Sequence, residues 1–259
     1  MKNNISIAAI QMDLAWENIN ANIKKMIFWV EQYASKAEII VFPEMFLTGF
    51  SMNVKSCSIS KSHPIIDNIC QIAQQYNVAI AGSIMTVEDG KYFNRFYLFQ
   101  SNGLISTYDK RHLFRMANEH HFYTPGNEKK VFEFNQNVLM PSICYDLRFP
   151  VWLRNKNQYD VLFVVANWPM SRIDAWKTLL KARAIENQCY VVAVNRCGKD
   201  GKGIEYNGSS MIIDFKGNVI AFAQDNVEMG IIAELNAFAL NQYRNEFPSY
   251  MDSDSFEII

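Results

Sequence analysis

The chain is organised around one stretch, Val138-Leu-Met-Pro-Ser-Ile-Cys144-Tyr-Asp-Leu-Arg148-Phe-Pro150. It begins as an apolar run typical of a buried strand and stops at Cys144, after which polar residues and Pro150 indicate a helix start. Such a turn places the first side chain after the strand at the carboxyl edge of a sheet, where α/β folds form pockets. Helix N-terminal N–H groups favour a thiolate and can hold a developing oxyanion. Cys144 is therefore a candidate nucleophile, although most cysteines are small buried apolar side chains.

The size and composition limit what the chain can be. It has 259 residues, of which 49% are hydrophobic and 20% charged, and its formal net charge is -1. These values are typical of a soluble globular protein and predict a single domain over residues 1–259. No basic block indicates nucleic acid binding, and every apolar run is well short of the roughly 18 residues that span a membrane. The N-terminal apolar run is too short for a signal peptide, and the five cysteines lack Cys-x-x-Cys spacing, which predicts a cytoplasmic protein.

The apolar pattern predicts alternating strands and helices, and hence an α/β fold. Near-continuous apolar runs predict buried strands over residues 5–12, 38–44, 138–144 and 161–166. Amphipathic patterns predict helices over residues 16–34, 64–76 and 173–188. Residues 116–126 show no clear period and are expected to form an irregular loop. The segment from Tyr243 has apolar side chains but no core of its own, so we expect it to pack elsewhere on the molecule or on a partner subunit.

Three polar residues stand at the ends of predicted strands: Glu44, Cys144 and Lys110, the last of which follows a hairpin predicted over residues 94–100 and 104–108. Because strands of one sheet layer end along a common edge, these side chains can converge there. A free thiol is mostly protonated at neutral pH and needs a base or a cation to help it. Burial beside Pro43 would make Glu44 a suitable base, and the ammonium of Lys110 would stabilise a thiolate or an oxyanion.

The arrangement resembles the carbon-nitrogen hydrolase, or nitrilase, superfamily over almost the whole chain. The matching motifs are Phe42-Pro-Glu44, Tyr108-Asp-Lys110-Arg-His-Leu-Phe114, Ile143-Cys144-Tyr-Asp-Leu-Arg148-Phe-Pro150 and Lys181-Ala-Arg183-Ala-Ile-Glu186-Asn-Gln-Cys-Tyr-Val-Val-Ala193. The resemblance implies that Glu44, Lys110 and Cys144 form a catalytic triad and that Glu119 is the family's second glutamate. It also implies one carbon-nitrogen hydrolase domain folded as a four-layer α-β-β-α sandwich, commonly paired into a homodimer.

Within the superfamily, the chain looks most like the bacterial omega-amidases, which hydrolyse the amide of 2-oxoglutaramate or 2-oxosuccinamate. The motifs concerned are Lys110-Arg-His-Leu-Phe-Arg-Met-Ala-Asn-Glu-His and Ala166-Asn-Trp-Pro. The implied reaction is attack of Cys144 on the amide, loss of ammonia to leave a thioester, and hydrolysis by water that Glu44 activates. The backbone N–H of Tyr145 and the Lys110 ammonium would hold the oxyanion. No metal or organic cofactor is expected.

Two alternatives remain open from the sequence. The same triad could act on a carbamoyl or an aliphatic amide instead of a keto-acid amide. A protein of a different class, which keeps the fold for binding without turnover, would need no working triad at all. Release of ammonia by the native chain but not by Cys144→Ala would exclude this second alternative.

A substrate with a carboxylate at its far end requires a cation in the pocket. Arg148, four residues beyond the nucleophile, is the candidate for a bidentate clamp, and an ion pair with Asp146 is the alternative. Trp168 and Phe46 are candidate apolar walls, although aromatic residues at strand ends more often belong to the core.

The histidines suggest other chemistry. His112, His120 and His121 could be zinc ligands, but they lack a His-x-x-x-His or Cys-x-x-Cys spacing, so solvated loop residues are expected. A dyad of Cys144 and His112 is a mechanistic alternative that leaves the Glu and Lys of the triad without a role.

Two further segments receive structural interpretations. Gly198-Lys-Asp-Gly-Lys-Gly203 lacks the pattern of a phosphate-binding loop and is predicted to be a hairpin tip. Glu186 follows Arg183 at helix spacing, which predicts an ion pair that braces the edge of the sheet.

Overall fold

The computed structural model describes residues 3–258. In chain order, its strands are β1 (Ile5–Gln11), β2 (Ile39–Val41), β3 (Ile59–Ser60), β4 (Ala79–Glu88), β5 (Lys91–Phe99), β6 (Ile105–Asp109), β7 (Phe132–Phe134), β8 (Asn137–Ile143), β9 (Val161–Ala166), β10 (Tyr190–Asn195), β11 (Cys197–Lys199), β12 (Glu205–Asn207), β13 (Met211–Ile213), β14 (Val219–Phe222) and β15 (Met229–Leu235). The predicted strands therefore exist, with ends that differ by a few residues.

The α-helices are α1 (Ile19–Tyr33), α2 (Val54–Cys57), α3 (Pro64–Gln75), α4 (Pro150–Leu153), α5 (Ile173–Asn187) and α6 (Ala237–Glu246). Short 3₁₀ turns lie at Arg115–Ala117, Glu119–His121, Cys144–Arg148, Met170–Arg172 and Ser249–Asp252. The helix α1 begins later than residue 16 because the Asn18 side chain caps it by accepting the Ala21 N–H at 3.0 Å. Within residues 3–258, no helix is long and apolar enough to cross a bilayer.

The strands form two mixed sheets and a separate hairpin. The first sheet has the order β15-β1-β2-β4-β5-β6, with β3 paired to β4, and the second has the order β14-β13-β10-β9-β8-β7. The hairpin joins β11 to β12. The central strands β1, β2 and β4 are parallel, as are β8, β9 and β10. Because these neighbouring strands run in the same direction, their carboxyl ends lie at one edge of each sheet.

Alternate residues of β1 show how the layers stack. Ile7 and Ala9 belong to a core that also contains Leu162 of the second sheet, whereas Ile10 packs with Met26 of α1. Since neighbouring residues of a strand point to opposite faces, the first sheet is covered by the second sheet on one face and by α1 and α3 on the other. Helix α5 packs on β10 and β13. This arrangement is an α/β sandwich of the nitrilase type, as the resemblance implied.

The C-terminal part is more regular than the sequence indicated. Helix α6 begins before Tyr243 and is capped by the Asn236 side chain, which accepts the Ala239 N–H at 2.8 Å. Arg244 of this helix is buried, forms an ion pair with Asp160 at 2.9 Å and donates to the Tyr159 carbonyl at 2.7 Å. The buried cation of Arg244 therefore attaches α6 to its own chain, whereas Phe247, Met251 and Phe256 beyond it are exposed.

Candidate active site

The structure brings the predicted triad together at the carboxyl ends of β2, β6 and β8. Lys110 directly follows β6, Cys144 directly follows β8, and Glu44 lies three residues beyond β2. Asn167, which directly follows β9, joins them: its backbone N–H donates to Glu44 Oε2 at 2.8 Å. The site thus collects side chains from both sheets at one edge, which is where α/β folds build their pockets.

Lys110 is the centre of a buried charge cluster. Its Nζ lies 2.9 Å from Glu44 Oε1 and 3.0 Å from both carboxylate oxygens of Glu119. All three residues are at most 1% exposed. Asn94 of β5 donates through Nδ2 to Glu44 Oε1 at 2.8 Å. Water therefore contributes little to the solvation of these charges, and they solvate one another instead.

The pKa shifts in the cluster follow from this geometry. Burial alone would lower the pKa of Lys110, but the carboxylates of Glu119 and Glu44 raise it above its ordinary value, so Lys110 remains an ammonium. Burial raises the pKa of Glu119, with Lys110 opposing the change and Glu44 adding to it. Glu119 therefore holds a proton more tightly than an exposed carboxyl would.

Cys144 begins the 3₁₀ turn in a conformation that few residues other than glycine adopt. Its φ is 48°, which puts it in the left-handed region. Such a backbone costs on the order of 1–3 kcal/mol and persists only where its surroundings impose it. Asp146 accepts the Ile143 N–H at 3.0 Å, and Arg183 donates to the Leu147 carbonyl at 2.7 Å, so both sides of the turn are held.

The surroundings of Cys144 favour the thiol over the thiolate that the helix start suggested. Burial raises the pKa of Cys144 well above its ordinary value, the Glu44 carboxylate adds to this, and Lys110 only partly opposes it. The first turn of a five-residue 3₁₀ helix is too weak to overcome desolvation. The sulfur must therefore lose its proton during attack, and the nearby Glu44 carboxylate, which raises the pKa of the thiol, is the candidate base that accepts it.

Asp146 organises the loop behind the nucleophile and does not pair with Arg148. It is fully buried and accepts from the Tyr108 hydroxyl at 2.9 Å and from the His112 backbone N–H at 2.9 Å. The His112 ring also contacts Asp146 at 2.8 Å and stacks on Phe149 at 3.7 Å. His112 does not line the cavity at Cys144, so the geometry does not support the Cys-His dyad.

A cavity opens in front of Cys144. Its apolar wall includes Phe50, Phe114, Trp168 and Tyr206, and its charged lining consists of Arg148, Arg172, Lys202 and Asp200. Three of the four predicted substrate-binding residues line it: Tyr145, Arg148 and Trp168. The guanidinium of Arg148 lies 4.9 Å from the centre of the Trp168 ring.

The expectation for Phe46 is corrected. Phe46 is fully buried, stacks near Phe42 with ring centres 5.4 Å apart, and is absent from the lining of the cavity. Its backbone N–H donates to the Ser83 carbonyl at 3.1 Å, which fixes it inside the first sheet's outer core. Phe50, four residues later, provides the wall instead, and its ring lies 5.1 Å from Lys110 Nζ.

Sequence analysis missed several residues of the site. Asn94 and Asn167 hold Glu44 from two strands, and the signal that could have found them is a polar residue inside or directly after a buried strand. Arg172 and the hairpin from β11 to β12 carried no such signal, although the hairpin brings Asp200 and Lys202 to the cavity. The hairpin itself was predicted, and so was the ion pair of Arg183 with Glu186, which measures 2.8 Å.

The other two histidines that were considered as zinc ligands lie on the 3₁₀ turn that carries Glu119. The rings of His120 and His121 are 4.0 Å apart, on a segment expected to be irregular. Among residues 3–258, no group of three or more His, Cys, Asp or Glu side chains is arranged to hold a metal ion.

Comparisons with known proteins show the family to which the chain belongs. Residues 6–245 match the sequence profile of the carbon-nitrogen hydrolase family. The chain is 42% identical over 254 residues to the omega-amidase YafV of Escherichia coli K12, covering 98% of each protein. It is 34% identical over 253 residues to the 2-oxoglutaramate amidase of Bacillus subtilis strain 168, covering 95% of this chain and 96% of that one.

A solved structure of a member of the same superfamily has the same fold. The fold superposes with a TM-score of 0.96 on XC1258 from Xanthomonas campestris, a CN-hydrolase superfamily protein with an arsenic adduct in its active site. The two are 36% identical, over 99% of this chain and 100% of the other. With a family profile over most of its length and relatives aligned almost end to end, the chain belongs to the carbon-nitrogen hydrolase family and is an enzyme that hydrolyses carbon-nitrogen bonds in amides.

Proposed function

We propose that the protein is a cysteine-dependent omega-amidase, which hydrolyses the terminal amide of a small keto-dicarboxylic acid monoamide such as 2-oxoglutaramate or 2-oxosuccinamate. The observation that carries the proposal is a buried cluster of Glu44, Lys110 and Glu119 beside Cys144, at a cavity whose wall presents arginine side chains. The names of the relatives from Escherichia coli and Bacillus subtilis support the choice of substrate class.

The first half of the reaction forms a thioester. Glu44 accepts the thiol proton as the Cys144 sulfur bonds to the amide carbon. The carbonyl oxygen becomes an oxyanion, which the Lys110 ammonium and the Tyr145 N–H stabilise. Tyr145 lies in the first turn of a short helix, where N–H groups have no partner within the helix. Glu44 then delivers the proton to the nitrogen, the carbon-nitrogen bond breaks, and ammonia leaves.

The second half releases the acid. Glu44 removes a proton from a water molecule that attacks the thioester carbon, and a second oxyanion forms in the same place. Collapse of this intermediate breaks the carbon-sulfur bond, and the proton returns to Cys144. Glu119 does not need to touch the substrate: it accepts from Lys110 through both carboxylate oxygens and keeps the ammonium in position beside Glu44.

Arg148 is the proposed clamp for the substrate carboxylate. It is exposed, stacks over Trp168, and has no carboxylate within ion-pair distance among residues 3–258. Stacking on an aromatic ring leaves the edge of a guanidinium free to bind a carboxylate through two parallel hydrogen bonds. The amide at the other end of the substrate would then lie at Cys144.

An ammonia-release assay tests the proposal. We expect wild type to release ammonia from 2-oxoglutaramate and 2-oxosuccinamate at much higher kcat/KM than from glutamine, a carbamoyl amino acid or an aliphatic amide. We expect Cys144→Ala to release none while it keeps the wild-type fold by circular dichroism. A preference for the carbamoyl or aliphatic amide would contradict the substrate class, and no ammonia from any amide would favour a binding protein.

We also propose that the enzyme works in the cytoplasm as a homodimer. Five free cysteines support a reducing compartment, and the family resemblance supports the dimer. Cell fractionation and light scattering after size exclusion test these two points. Recovery outside the cytoplasmic fraction or a mass of one chain would contradict them.

A further inference from the structure

Arg172 is a second guanidinium in the wall of the cavity. It ends the 3₁₀ turn Met170–Arg172, directly before α5, and is partly exposed. Its guanidinium lies 5.3 Å from the centre of the Phe114 ring, and its polar contact is with Met116 Sδ at 4.0 Å. Within residues 3–258 no carboxylate pairs with it. The triad does not use it, and a partly desolvated cation without a partner calls for an explanation.

The residues that hold Arg172 are themselves parts of the active site. The Trp168 indole N–H donates to the Arg172 carbonyl at 2.8 Å, while the face of the same Trp168 lies under Arg148. On the other side, the backbone N–H of Phe114 donates to Glu119 Oε2 at 2.5 Å. The two arginines therefore share Trp168 as a support, and the ring beneath Arg172 is tied to a carboxylate that contacts Lys110.

The carboxylate in the same wall does not balance these cations. Asp200 accepts the backbone N–H groups of Lys202 and Ile204 through Oδ1 at 2.8 and 2.9 Å. Its Oδ2 accepts the Tyr206 hydroxyl at 3.0 Å. Both oxygens are thus committed to the hairpin, and Asp200 is only 7% exposed. The wall thus has three cations, Arg148, Arg172 and Lys202, against this one carboxylate, and its net positive charge complements an anionic ligand.

We infer that Arg172 is a second specificity-determining residue, which binds the anionic end of the substrate together with Arg148. The inference rests on the proposed amidase function. It adds to that function a second binding residue and the requirement that the far end of the substrate is an ionised carboxylate. A planar guanidinium on an aromatic ring loses little conformational freedom when it binds a carboxylate, and two such groups select a substrate with a fully ionised far end. A neutral amide gains nothing from either arginine.

Two substrates of matched shape separate this role from a structural one. Succinamate carries a carboxylate, and 4-methylpentanamide carries an isopropyl group in its place. For Arg172→Gln we expect kcat/KM for succinamate to fall roughly ten- to hundredfold, mainly through KM, because a charge-assisted hydrogen bond is lost. For the neutral amide we expect a change of less than about threefold, because that substrate has no group for a guanidinium to bind.

Two further variants serve as controls. Arg115→Gln removes the same charge from an exposed arginine that does not line the cavity, and we expect it to leave both substrates unchanged. Arg172→Lys keeps the charge but loses the planar stacking. We expect its KM for succinamate to lie between those of wild type and Arg172→Gln.

If Arg172→Gln lowered kcat/KM equally for both substrates, Arg172 would only support the start of α5. If kcat/KM fell for neither substrate, Arg172 would not belong to the substrate-binding site. Both results would overturn the inference while leaving the amidase function intact. Absence of ammonia release by wild type would instead overturn the proposed function.

Discussion

Two groups of charged side chains flank Cys144, and they differ in how their charges are satisfied. In the buried charge cluster of Glu44, Lys110 and Glu119, Lys110 contacts the two carboxylates at 2.9 to 3.0 Å and every member is buried. In the cavity wall, Arg148 and Arg172 lie on aromatic rings without a carboxylate partner in the part of the chain described. The charges of the first group are paired before substrate binds, whereas the cations of the second group are paired by the carboxylate of the substrate.

This difference assigns the two groups different roles: the buried cluster serves the chemical step, and the cavity wall serves substrate binding. A closed cluster holds its dipoles and charges in place before reaction, so no reorganisation is needed as the oxyanion forms. An open set of guanidinium groups favours whichever ligand brings the missing negative charge. Replacing a cation should therefore affect both folding and catalysis in the cluster, but only binding in the wall.

The largest effect is expected for Lys110→Met. Without the ammonium, two carboxylates remain buried side by side, so we expect the free energy of unfolding at pH 7 to fall by about 3–5 kcal/mol. Loss of the oxyanion partner should lower kcat by about a thousandfold. Urea denaturation and the ammonia assay measure the two quantities. Wild-type stability in this variant would contradict the contrast between the two groups.

A smaller catalytic loss is expected for Glu119→Gln. The amide can still accept the Phe114 N–H, but it no longer supplies the negative charge that holds Lys110. We expect kcat to fall roughly a hundredfold with KM nearly unchanged, since an oriented charge is weakened and no substrate contact is removed. Steady-state kinetics with one carboxylate-bearing amide is sufficient. A selective rise in KM would place Glu119 with the recognition residues instead.

For Arg148→Gln, we expect a loss confined to binding. Its kcat/KM for a carboxylate-bearing amide should fall roughly ten- to hundredfold. The free energy of unfolding should stay within about 0.5 kcal/mol, because no buried partner is left unpaired. Kinetics and urea denaturation are compared on the same preparation. A large loss of stability with unchanged affinity would show that Arg148 is structural.

The smallest effect concerns the resting state of the nucleophile. Since burial and Glu44 raise the pKa of Cys144, its thiolate fraction in the free enzyme should grow with pH throughout the neutral range. The rate of alkylation by iodoacetamide at Cys144, followed by peptide mass spectrometry, should then rise about tenfold per unit between pH 6 and pH 8. A rate independent of pH over this range would mean that the thiolate is already formed.

The triad could be predicted from the sequence because each member follows a predicted strand. The apolar runs before Cys144 and Asn167 indicate parallel strands, and the edge that such strands share is a general property of the fold. The family motifs then identified Glu119, which has no local signal in an irregular segment. The part of the site that the sheet edges carry is therefore predictable from the sequence.

The walls of the cavity could not be predicted in the same way. Phe46 and Phe50 belong to one apolar segment, but positive φ angles of 47° at Met45 and 76° at Gly49 turn the chain, so that one ring enters the core and the other the cavity. Arg172 and Asp200 arrive from a helix start and a hairpin, and neither has a pattern that reveals its direction. The protonation of Cys144 likewise depends on burial, which the sequence does not show.

The most direct test of the account is to trap the acyl group on the enzyme. Wild type is mixed with 2-oxoglutaramate, quenched rapidly and analysed by peptide mass spectrometry, with hydroxylamine present in a parallel reaction to intercept any thioester. We predict an adduct equal to the substrate minus ammonia on the peptide that contains Cys144, and formation of the hydroxamate. Ammonia release with an unmodified Cys144 peptide and no hydroxamate would contradict the account.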